Sequence, residues 1–173
     1  MPPCATSAMV ADDRSPVPKD VAVTTRPWLL ATLVWVPFLS VFAFASLGDT
    51  SALHITSHLF ALACLAPASM LALRLRRTAP TRFGRGVLTV LVVALPLSVA
   101  GHLLELVTAV VRLAEDGWTN QDTADIWVEG PHVWAANLTV PSMMVAMLGT
   151  LVLVVATAVA GLTRWGRAGR RAR

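Results

Sequence analysis

The stretch that decides the fold is Val87–Val111, VLTVLVVALPLSVAGHLLELVTAVV. It is 25 residues of almost unbroken apolar character with a single acid, Glu105, and a single imidazole, His102. A hydrocarbon core of ~30 Å needs roughly 20 helical residues to cross it, so this run is long enough to span a membrane. Lipid offers no hydrogen bonds to an open backbone, and the run lacks the ten-residue alternation of a barrel strand, so it reads as a transmembrane helix.

Three further runs flank it: Pro27–Leu47, Ala52–Leu73 and Val133–Leu162. The bulk composition agrees. Apolar residues make up 55% of the 173 and charged residues 14%, against about 25% charged in soluble domains, and the mean hydropathy is +0.66. That composition excludes disorder and argues against an ordinary soluble fold. The predicted fold class is all-α: an integral membrane four-helix bundle with up-down topology, N-in/C-in, and proline-kinked helices. Residues 1–26 are predicted to be a mobile cytoplasmic tail. Residues 27–165 form the bundle, with helices at about 27–47, 52–73, 86–113 and 132–163. Residues 166–173 form a basic cytoplasmic tail. Ala43-Phe44-Ala45 resembles a small-x-small cleavage site, but the tail before it is long and the apolar run exceeds the ~7–15 residues of a signal-peptide core.

Orientation follows from charge. Among the 14 Lys and Arg, all but Arg112 lie in three places: before the first run (Arg14, Lys19, Arg26), between the second and third (Arg74, Arg76, Arg77, Arg82, Arg85), and after the fourth (Arg164, Arg167, Arg170, Arg171, Arg173). Four spans put all three on one side, and the positive-inside rule makes that side cytoplasmic. The net charge of +4 and pI of about 10.4 are therefore explained by topology and by anionic lipid headgroups. Nucleic acid is not an expected partner, because the basic segments lack interleaved aromatics and any binding module. The lipid bilayer is the expected partner, with a homo-oligomer or a larger membrane complex left open. The Ala, Val and Arg bias is that of high-GC bacterial sequences, in which such a protein sits in the plasma membrane. Trp28, Trp134 and Trp165 mark the ends of apolar runs, as an interfacial aromatic belt does.

The third and fourth runs exceed the core thickness. They are expected to project above the outer surface, roofed by the acidic Glu115–Glu129 loop. Each run carries a proline near its middle (Pro37, Pro67, Pro96, Pro141), and a proline removes an intrahelical bond and bends a helix.

All four histidines map to the outer half. His54 and His58 stand at i, i+4 on one helix face. His58 lies about 9 Å and His102 about 8 Å below the outer boundary at 1.5 Å per residue. His132 opens the fourth run at the surface. On the third run Ser98, His102, Glu105, Ala109 and Arg112 fall within roughly 80° on a helical wheel. An embedded acid is costly unless paired and faces the bundle interior. Arg112, His102 and His58 are its expected partners.

Imidazole and carboxylate are ligands for Zn, Cu, Fe or Ni. The predicted metal ligands are His54, His58, His102, Glu105 and His132, with His54 and His132 at the mouth of the site. A single b-type haem is the alternative cofactor, held by His58 and His102 as axial ligands, with Gly101 and Ala61 small enough to admit a flat ring. No histidine lies on the cytoplasmic side, so a second haem is not expected. The functional expectation is a small multipass membrane protein with an outer-half His/Glu site that binds a metal ion or one haem, in a redox or metal-handling role. An accessory subunit of a larger complex and a small transporter protomer are the alternatives. A continuous pathway is hard to build, since below Ser98 the third run offers only Thr89 and the second only Ser69. Met143, Met144 and Met147 form a soft cluster that keeps copper among the candidate ions. The two cysteines, Cys4 and Cys64, define no disulfide framework, and motif patterns for phosphate loops, zinc proteases and serine hydrolases are absent.

Overall fold

The computed structural model describes residues 19–47, 51–116 and 130–171. They form four helices: α1 (Lys19–Leu47), α2 (Ser51–Thr78), α3 (Arg82–Asp116) and α4 (Gly130–Arg171). The described residues contain no strand. Three helices carry stretches long and apolar enough to cross a membrane: Ala52–Thr78, Arg82–Glu115 and Gly130–Trp165. The expected acidic roof falls largely on residues 117–129, outside the described residues.

The helices close a ring, α1 against α2, α2 against α3, α3 against α4, and α4 against α1, with the α3–α4 seam the most extensive. The core is built from positions three or four apart on each helix. Leu30 and Val34 come from α1, Ala61, Leu65, Ala68 and Ala72 from α2, Leu88, Leu91, Ala94 and Leu95 from α3, and Met143, Ala146 and Leu153 from α4. The alanines let backbones approach closely, which is how helices gain packing where lipid supplies no hydrophobic contrast. Large apolar side chains face outward on every helix, including Leu39, Leu59, Val93, Leu103, Val140 and Val155. That inverted surface is suited to lipid.

The helices outrun the apolar runs at their basic ends. α2 continues through Arg74, Arg76 and Arg77, and α3 already contains Arg82 and Arg85. Hydropathy reads the membrane-crossing part of a helix, while Arg is a good helix former in water or headgroups. Arg76 and Arg77 also sit in the last turn of α2, where a cation complements the helix dipole. The connection is reduced to Ala79-Pro80-Thr81. Thr81 caps α3 by accepting from the Gly84 N–H at 3.0 Å. Likewise α1 begins at Lys19, ahead of the apolar run at Pro27. Each of the four mid-run prolines lies inside a continuous helix.

Candidate metal centre

Above Ser98 the core changes character. The buried positions of α3 continue as Ser98, His102 and Glu105, and α4 adds His132. Glu105 and His132 are each 4% exposed and His102 8%. His54 and His58, on α2, are half-buried. The helical register thus delivers all five predicted site residues to one end of the bundle.

Their contacts form two linked sets. The Nδ1 atoms of His58 and His102 lie 2.9 Å apart across the α2–α3 seam. His58 Nε2 lies 3.1 Å from His54 Nε2 one turn away. Between α3 and α4, His132 Nδ1 is 2.5 Å from Glu105 Oε2, an ion-pair contact between two buried side chains. The His54 and His132 rings, 6.2 Å apart between centroids, join the sets. His54, His58 and Glu105 each have one ligand atom within 4.8 Å of the others.

The partner of Glu105 is the feature that sequence reasoning missed. Arg112, His102 and His58 were the expected candidates; His58 does come within 4.8 Å of the carboxylate, and His132 on α4, not among those expected, makes an ion-pair contact with it. The wheel of α3 ranks neighbours along its own axis and says nothing of what the next helix brings to that height. Length was the available signal: α3 runs to Asp116, so Glu105 stands level with the first turn of α4.

Gly101 sets how close α3 and α4 come. A Cβ there would lie 3.0 Å from the Thr139 backbone nitrogen and 3.1 Å from its Cα, and would strike its Oγ1. The glycine admits α4, not a cofactor. This bears on haem. Two axial imidazoles must stand about 4 Å apart, nitrogen to nitrogen, if each metal–nitrogen bond is ~2.0 Å, with the macrocycle between them. His58 and His102 meet at 2.9 Å, Gly101 is filled by Thr139, and Ala61 is buried in the core. In this structure the two rings touch, with no gap between their Nδ1 atoms for a macrocycle.

A metal ion needs less room. Two metal–nitrogen bonds of about 2.0–2.1 Å at a tetrahedral angle place the nitrogens roughly 3.3–3.4 Å apart. The two Nε2 atoms of His54 and His58 are already 3.1 Å apart. Comparison with known proteins returns no matching family model, no matching curated protein and no matching solved structure.

Proposed function

We propose that this chain is a four-span protein of the plasma membrane, with both termini cytoplasmic, that holds one divalent metal ion in the outer half of its bundle. Three observations support the frame. The apolar run of α1, Pro27–Leu47, is long enough to serve as a fourth span beside the three clear ones. Seam contacts pair Arg76 with Thr89 and His58 with His102, then Ser98 with Met143 and Glu105 with His132, as up-down neighbours do. Among the described residues the arginines other than Arg112 lie toward the helix ends away from the histidines.

The observation that carries the metal reading is that His54, His58 and Glu105 each bring one ligand atom within 4.8 Å of the others, with the Nε2 atoms of the two histidines 3.1 Å apart. Two imidazoles and one carboxylate suit Zn, Cu(II), Ni or Fe(II). Three protein ligands leave a coordination position open, the arrangement of sites that exchange or react rather than merely brace a fold. His102 and His132 are then placed behind the ligands, His102 on the far nitrogen of His58 and His132 on Glu105. Outer partners of this kind fix ring orientation and tune the ion. On this reading the five predicted site residues, with His54 and His132 expected at the mouth, separate into three that hold (His54, His58, Glu105) and two that orient (His102, His132).

The test is titration of metal-stripped protein in detergent with Co²⁺, Zn²⁺ and Cu²⁺. One ion per chain is expected, with a Co²⁺ visible band lost in His58→Ala. A wild-type protein that binds none leaves the five residues as interhelical polar contacts, the role expected of an accessory subunit.

A further inference from the structure

Beside the metal centre lies a cavity of about 310 Å³ between α1, α3 and α4. Trp35 and Phe38 wall it from α1, Met143, Met144 and Met147 from α4, and His102 from α3. That volume is at the lower end of small-molecule sites and far exceeds what a bare ion needs. Its surface is almost wholly apolar. Thr139 also lines it, but the hydroxyl is turned to Gly101.

Beside Thr139, whose buried hydroxyl has no hydrogen-bond partner, the polar residue of the lining is His102. Among the described residues its one hydrogen bond is through Nδ1 to His58. One ring of that pair donates and the other accepts. When His102 accepts at Nδ1 it carries N–H at Nε2, and when it donates at Nδ1 it offers a lone pair at Nε2. The second nitrogen thus suits either a carbonyl or a hydroxyl. A plain acyl chain would fill the space and leave an imidazole edge against hydrocarbon, which costs free energy. The remaining walls favour a flat ring. The Trp35 indole is held by its N–H bond to Thr150 at 3.2 Å, Phe38 offers a second aromatic face, and flexible thioethers adapt to ring edges. Val140, Met144 and Leu148, which also line the cavity, are exposed on the lipid side of α4, so a ligand would arrive from the bilayer.

We infer that this cavity binds the ring of a membrane-dissolved quinone or its quinol, with His102 as its hydrogen-bond partner. The inference does not require the metal centre and is tested on metal-free protein.

Full-length protein in lipid nanodiscs is titrated with a decyl-substituted benzoquinone while tryptophan emission is followed. Saturable quenching is expected, and Trp35→Phe removes its quenched component. Met143→Phe and Met147→Phe, which fill the cavity, each weaken binding at least about tenfold. His102→Leu weakens the quinone about tenfold and leaves a methylnaphthalene probe unchanged. Equal binding of methylnaphthalene and quinone by the wild type overturns the assignment. So does quenching that survives Trp35→Phe, or quenching of Trp35 by brominated acyl chains that quinone fails to displace, which marks a lipid-filled gap. Should the phenylalanine variants fail to fold, the Trp35→Phe and brominated-lipid arms still decide.

Discussion

The two halves of α3 occupy the same register and bury opposite chemistry. From Leu88 to Leu95 its inward side chains are Leu88, Leu91, Ala94 and Leu95, packed on Ala and Leu of α2 and α4. From Ser98 to Glu105 the inward positions are Ser98, His102 and Glu105. The lower half needs nothing but shape. The upper half must satisfy an acid and several imidazoles away from water, where each lost partner costs about 1–3 kcal/mol. A bundle that needed only stability would continue the lower pattern upward. Concentrating polar groups at one end is what a ligand site requires.

That contrast is broken first at His58. Its two ring nitrogens contact His54 and His102, so His58→Ala should lower metal affinity by on the order of a hundredfold or more, ~2.7 kcal/mol. Helical content by circular dichroism should be unchanged. Leu91→Ala is the mirror experiment in the lower half. Leu91 is fully buried against Gly149, and emptying its space should cost about 2 kcal/mol of stability in detergent unfolding. This is the low end for core truncations, because lipid supplies no hydrophobic contrast. Metal stoichiometry should not change.

The outer partners are expected to matter less than the ligands. His102→Ala and His132→Ala should each weaken metal binding about 10–100-fold without abolishing it, as read by competition with a chromophoric chelator. If His102→Ala empties the site as fully as His58→Ala, His102 belongs among the ligands. The smallest expected difference is between two glycines. A Cβ at Gly101 meets Thr139 backbone, which cannot step aside, whereas at Gly149 it meets the movable end of Leu91 at 2.8 Å. Gly101→Ala should therefore destabilise the α3–α4 seam by about 1–3 kcal/mol. Gly149→Ala should cost less, and it should spare the metal site.

Much of this organisation was legible in the residues. Apolar run length exposed four helices, and the wheel of α3 placed Ser98, His102 and Glu105 on one inward stripe. Depth counting brought the histidines to that height. Helix ends were not legible, because Arg74–Arg77 and Lys19 extend helices beyond the apolar runs that hydropathy detects. The pairing of Glu105 with His132 was not legible either, since it depends on how far α3 rises beside α4. Nor was the role of Gly101: a missing side chain reads as room for a ligand until the neighbouring backbone is seen to fill it.

X-ray absorption at the metal edge of zinc-loaded protein tests the proposed coordination shell most directly. The prediction is one zinc per chain with nitrogen and oxygen ligands at about 2.0–2.2 Å and the outer-shell scattering of two imidazoles. A zinc surrounded by oxygen alone, with no imidazole scattering, would contradict it.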